Sequence, residues 1–353
     1  MDHQTYHQQQ NIKNTVKLRE LVSELPSWTG AFFRGIEQTT ESRTRIAYAV
    51  DLKVFFEYIQ MKNPLYYNTE IKNIPFEILT QMQSTDFEEY LEFLKYYKNK
   101  EGKEITNNER GIKRKLAALR SLYRYYHKNK MISENPTLQV DMPKLHSKTI
   151  VRMDANEVAD FLDVVESGNK LTDNQMIYHK KAKKRDLALM TLLLGTGIRV
   201  SECVGLDLTD VDFNNDRIKI IRKGGDEAFV YFGDEVRESL MEYIEERKGI
   251  VTLDEHENAL FLSSRRKRIS VRNVEVLVKK YARTVTTIKK ITPHKLRSTY
   301  GTSLYQETGD IYLVADVLGH KDVNTTKKHY AAVDEERKRF ARDKVQLREK
   351  SNK

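Results

Sequence analysis

Residues 292–330 read TPHKLRSTYGTSLYQETGDIYLVADVLGHKDVNTTKKHY. The stretch opens as a helix should, with Thr292 at the N-cap and Pro293 at the first helical position, where the missing N–H costs nothing. His294 and Arg297 stand three residues apart and so share a face of the first turn. There the positive end of the helix dipole favours an anion such as phosphate. An ordinary capped surface helix fits the same residues. A second helix over 310–318 stops at Gly319, a natural helix end, which places His320 on the turn behind it. Tyr330 follows; with 19 tyrosines in the chain, it carries no weight alone.

Upstream, residues 196–202 read TGIRVSE. Gly195 and Gly197 end an apolar helix, and Arg199 opens the next with Glu202 three residues on. Glu202 can fix the Arg199 guanidinium, although a plain surface ion pair has the same spacing. The β-rich runs Arg217–Ile221 and Ala228–Phe232 flank Gly224-Gly225 and predict a hairpin carrying Lys223, with Lys219 and Arg222 close by. Helices are expected over 154–166, 183–194, 234–248, 270–284, 292–306 and 310–318.

The first half has a different texture. Residues 1–25 are polar and read as a mobile segment or a short helix. A strong helix follows Thr39-Thr40-Glu41, with Ile46, Ala49, Val50, Phe55, Phe56 and Ile59 largely at helical spacing. Residues 76–97 read as one or two helices. Residues 107–126 form another, whose apolar stripe is Ile112, Leu116, Leu119, Leu122, Tyr123 and Tyr126. Residues 111–130 hold seven Lys or Arg and no acid. This half reads as all-helical. Residues 131–148, with two prolines and little periodicity, read as an interdomain linker.

Composition bounds the answer. The 353 residues suggest two domains. The formal charge of +10 favours a polyanionic partner, most simply nucleic acid. The longest apolar stretch, Leu187 to Leu194, is too short to span a bilayer, and the N-terminus lacks the apolar run of a signal peptide. One cysteine, Cys203, excludes a disulfide framework and suits a reducing, cytoplasmic location.

Taken in order, Arg199, a hairpin Lys223, His294-x-x-Arg297, His320 and Tyr330 make a signature. Within TGIRVSE, HKLRSTYGTSL and LGHKDVNTTKKHY, and with the linker ENPTLQVDMPK, the chain resembles the tyrosine recombinase (phage integrase) family over nearly its whole length. The resemblance implies a mainly α protein with a small β-sheet. A polar segment (1–25) would precede a helical core-binding domain (26–130), a linker (131–148), an α+β catalytic domain (149–333) and a charged tail (334–353), the two domains forming a C-shaped clamp on DNA.

It also implies roles. Tyr330 would attack a DNA phosphate, giving a 3′-phosphotyrosyl link and a free 5′-hydroxyl. Arg199 and Arg297, permanently charged planar forks, suit the oxygens of the transition state. Lys223 would protonate the leaving oxygen, His294 would assist proton movement at the tyrosine, and His320 would donate to the phosphate. Glu202 would orient the site. Arg43, Arg45, Lys113, Arg114, Arg120 and Arg124 are candidates for contacts to phosphates or bases; the alternative is a solvated basic helix face. No metal, cofactor or ATP is implied. Ser298 stands where many relatives carry a second His, and Asp226-Glu227 where many are more basic. Tyr300, Tyr305 and Tyr312 are rival tyrosines, Tyr300 most simply a core aromatic.

The short leader points to a simple two-domain recombinase of the Xer kind, and the resemblance further implies the type that acts without a second recombinase. Such an enzyme would resolve chromosome dimers at a dif-type site as a homotetramer on double-stranded DNA, coupled to an FtsK-like translocase and cell division. Alternatives are a mobile-element integrase of the same family, a type IB topoisomerase, or a DNA-binding protein without catalysis.

Overall fold

The polar N-terminal segment is a helix, α1 (Tyr6–Ser23). The Thr5 hydroxyl accepts from the Gln8 N–H while the Gln8 side chain accepts from the Thr5 N–H, a reciprocal cap that fixes the first turn. The computed structural model describes residues 5–99, 101–146, 151–222, 224–320, 322–324 and 326–327. They fall into two units, Met1–Lys148 and Thr149–Lys353.

In the first unit α1 is followed by α2 (Thr29–Gly35), α3 (Ser42–Lys62), α4 (Ile78–Gln81), α5 (Ser84–Phe93) and α6 (Glu109–Lys128). Helix α3 packs on α1 and α6, and α2 on α6. The six apolar residues of the α6 stripe are all buried. The core is aromatic. Phe55 meets Tyr90 edge-on at 5.1 Å and Phe87 meets Tyr123 at 5.3 Å, the offset geometry that ring quadrupoles favour. Trp28 lies among Phe56, Phe76 and Tyr126, donates to the Ile74 carbonyl at 3.0 Å, and receives the Tyr126 hydroxyl on its own carbonyl.

One expectation fails here. The unit is not all-helical: β1 (Tyr96–Lys98) and β2 (Glu104–Thr106) form an antiparallel hairpin. Its turn is set by Asn99, whose side-chain oxygen accepts from the Glu101 and Lys103 N–H groups, and by Gly102 at φ 74°. Residues 131–146, read as the linker, pack onto the first unit. Ile132, Thr137 and Val140 are buried, and the turn at Pro136–Leu138 packs on α6. Pro136 opens this docked turn.

The second unit is built around α9 (Lys183–Thr196), which is apolar on nearly every face and buried accordingly. Against it pack α7 (Ala155–Ser167), α11 (Asp234–Lys248) and α13 (Pro293–Thr308). The remaining helices are α8 (Asp173–Lys180), α10 (Val200–Gly205), α12 (Val271–Val285) and α14 (Ile311–Leu318). A three-stranded antiparallel sheet runs β3 (Val211–Asp212), β4 (Arg217–Ile221), β5 (Glu227–Tyr231), with buried Ile218 opposite buried Val230. Helix α8 and the short β3 are additions to the sequence reading. Among the described residues no helix is long and apolar enough to cross a membrane.

Candidate active site

The C-terminal end of α14 organises the site. Asp310 starts this helix by accepting from the Tyr312 and Leu313 N–H groups. Gly319 ends it in the left-handed region at φ 62°, and the Gly319 and His320 N–H groups turn back onto the Asp316 and Ala315 carbonyls. The exposed carbonyls of a helix end attract cations, and here three guanidiniums meet them. Arg222 donates to the Asp316 and Val317 carbonyls, both at 3.3 Å from Nη2. Arg297 donates to the Leu318 carbonyl. Arg199 Nη2 donates to the Gly319 carbonyl at 3.2 Å.

Each arginine is held a second time or packed in place. Arg297 comes from the first turn of α13, is buried, and also donates to the Gly197 carbonyl at 2.6 Å. Gly197 is the left-handed cap of α9 at φ 62°, and a Cβ there would lie 2.3 Å from the Tyr300 ring. Arg199 occupies the N-cap of α10. Its Nη1 donates to Glu202 Oε1 at 2.7 Å, and its backbone N–H donates to Glu202 Oε2 at 2.7 Å. Glu202 is buried, whereas the Arg199 side chain is one-third exposed, so this is a built clamp rather than a solvated pair. His320 Nδ1 lies 2.7 Å from the hydroxyl of buried Thr326.

The structure therefore brings Arg199, Glu202, Arg297 and His320 together around the turn at 318–320. His294 is exposed on the same first turn of α13 that carries Arg297; Thr292 caps that helix without a side-chain hydrogen bond. Lys223 and Tyr330 lie outside the described residues. Of the rival tyrosines, Tyr305 is buried, Tyr300 is half-buried with its phenol pushed above its ordinary pKa by desolvation, and Tyr312 is exposed on α14. Sequence reasoning did not single out Arg222, which entered only as a neighbour of Lys223, or Thr326, whose place in the VNTTKKHY run was its only signal. Among the described residues no three His, Cys, Asp or Glu side chains gather where a metal ion would be held.

The basic candidates of the first unit separate into two kinds. Arg45 is paired with Glu37 at 2.7 Å and is largely buried. Arg120 donates to the Thr137 and Val140 carbonyls, tying the docked turn to α6. Both guanidiniums have structural work that α-helical periodicity could not reveal. Arg43 and Arg124 are exposed, and Lys113 is half-buried. Arg114 is half-exposed but anchored at 2.9 Å by the fully buried Asp51 carboxylate.

This arrangement gathers fixed guanidiniums at one helix end. Residues 151–337 match the phage integrase family, and the chain belongs to that family, the tyrosine recombinases: it is a site-specific DNA recombinase of the Xer type. The chain is 32% identical over 310 residues to tyrosine recombinase XerC of Caldanaerobacter subterraneus subsp. tengcongensis, covering 85% of this chain and 81% of that one. It is 30% identical over 348 residues to tyrosine recombinase XerS of Streptococcus mutans, covering 91% and 96%. The fold is similar to that of the XerH recombinase bound to a palindromic difH substrate after cleavage, with a TM-score of 0.60 at 18% identity over 82% of this chain and 75% of that one.

Proposed function

We propose that this recombinase resolves chromosome dimers at a dif-type site by transesterification at the turn around His320. The observation that carries the reading is the convergence of Arg199, Arg297 and His320 on one helix end, each held by a partner other than the substrate. Groups fixed in advance need no reorganisation when charge develops on the phosphate oxygens.

In the proposed step the Tyr330 oxygen attacks phosphorus. A phenol has a pKa near 10, so it reacts only once its proton leaves; His294 takes that proton. Arg199 and Arg297 neutralise the non-bridging oxygens. With Thr326 donating to His320 Nδ1, the ring proton sits on Nε2, where it is donated to a phosphate oxygen. The P–O5′ bond breaks, and Lys223 delivers a proton to O5′. The phosphotyrosyl ester retains the energy of the phosphodiester, so rejoining needs no nucleotide. Glu202 keeps the Arg199 fork aimed.

The DNA is double-stranded and is bound by both units, with Arg43, Lys113, Arg114 and Arg124 as phosphate contacts. Four protomers act on two sites, because exchanging two duplexes needs four cuts, and an FtsK-like translocase with cell division sets the timing. Relatedness to both XerC and XerS over most of the chain supports this reading over a mobile-element role. The test is a plasmid with two directly repeated copies of the dif-type site from the terminus of the source chromosome. Excision of the intervening DNA by the wild type, and none by Tyr330→Phe, is the expected result. Relaxation without recombinants would point instead to a topoisomerase, and excision only at the ends of a mobile element would point to an integrase.

A further inference from the structure

Arg222 is the third guanidinium at the end of α14 and has no part in the transesterification just described. It sits one residue past the end of β4, in the turn to β5, and immediately precedes Lys223. The turn is closed by the Arg222 N–H on the Asp226 carbonyl at 2.8 Å and the Gly225 N–H on the Arg222 carbonyl at 3.0 Å. The side chain then leaves the sheet and crosses to α14, where it donates to the Asp316 and Val317 carbonyls. Its planar group lies against Gly319 so closely that a Cβ on that glycine would be 2.0 Å from Nη1 and 2.5 Å from Cζ. Arg222 Nε is buried without a partner. A lost N–H partner costs free energy, so this packing is held against a penalty.

We infer that Arg222 is a positioning residue for proton delivery: it staples the β4–β5 turn to the helix end bearing Gly319 and His320, and so acts on Lys223, its neighbour in sequence. The inference rests on the proposed role of Lys223. A lysine has a long, flexible stem, and general-acid efficiency depends on geometry within hydrogen-bond reach of the leaving oxygen. An anchor one residue away, tied to the element that presents His320, sets that geometry without touching the DNA.

Leaving-group chemistry separates this role from a merely structural one. When O5′ leaves, the P–O bond breaks, its electron pair stays on oxygen, and the resulting alkoxide must gain a proton. If sulfur replaces O5′, the P–S bond breaks to a thiolate, which is stable near its pKa of about 8.5 and needs no acid. The experiment uses the full-length protein and nicked suicide duplexes carrying the dif-type site, with either oxygen or sulfur at the 5′ bridging position. Arg222→Ala and Lys223→Ala should both cleave the oxygen substrate more slowly, Arg222→Ala by roughly 10- to 100-fold, and both should return to near the wild-type rate on sulfur. Arg222→Lys, which keeps a donor for the α14 carbonyls and disturbs folding least, should show the same pattern with a smaller loss. If the Arg222 variants remain slow on sulfur, or match the wild type on oxygen, the positioning role is wrong. If Lys223→Ala is not restored by sulfur, the general-acid reading itself fails and takes the inference with it.

Discussion

Two glycines at the site are there for different close contacts. Gly319 gives way to the Arg222 guanidinium, and Gly197 to the Tyr300 ring. Both also adopt φ 62°, where a side chain is strained. Their role as helix ends was legible in the sequence, because glycine after an apolar run is a stop signal of local origin. What presses on them was not, since Tyr300 and Arg222 arrive from distant elements. Likewise Arg-x-x-Glu at 199–202, taken alone, favoured a plain surface pair over a clamp; burial of Glu202 decides for the clamp, and burial is a tertiary property. Gly197→Ala should therefore lower stability by about 1–3 kcal/mol through strain at this φ. It should also slow strand cleavage at temperatures where the protein is fully folded, because the Gly197 carbonyl holds Arg297. Thermal unfolding together with a single-turnover cleavage assay checks both effects.

Among the elements, strong periodicity and clear stop signals were read well. Helix α11 spans 234–248 as expected, and the stripe of α6 is the buried face. The hairpin at 96–106 was missed because short-range turn chemistry decides it, and the packing of 131–146 was not legible because a guanidinium from α6 holds it. The link between α3 and α6 is electrostatic as well as apolar. Asp51, fully buried, faces Arg114 at 2.9 Å and Lys115 at 3.7 Å, and its Oδ2 is buried without a hydrogen bond. Desolvation pushes its carboxyl above the usual range, more strongly than Arg114 and Lys115 lower it, and desolvation pushes the Lys115 amine down. A carboxyl raised on folding contributes stability below its unfolded pKa and loses it as pH rises through the folded value. The first unit should therefore lose stability as pH climbs through that raised value, and Asp51→Asn should abolish this part of the slope. Urea midpoints measured from pH 4 to 7 on the wild type and the variant read it directly; an unchanged slope in Asp51→Asn would remove Asp51 as its source.

For the whole molecule, the basic excess has partly resolved into named work. Arg45 and Arg120 hold the first unit together, Arg199, Arg222 and Arg297 close on one helix end of the second, and Arg43 and Arg124 remain exposed. Net charge pointed to a polyanion but could not distinguish these uses, because the same residue type serves all of them. The ordered signature set apart Arg199 and Arg297 alone; the roles of Arg45, Arg120 and Arg222 depend on tertiary partners. In the proposed reaction the residues of that signature cut DNA through one tyrosine. The most direct measurement is to trap the protein on a nicked suicide duplex, digest the covalent complex, and sequence the DNA-linked peptide by mass spectrometry. The expected result is a 3′-phosphotyrosyl link at Tyr330; a link at Tyr300, Tyr305 or Tyr312, or covalent complexes persisting in Tyr330→Phe, would overturn Tyr330 as the nucleophile.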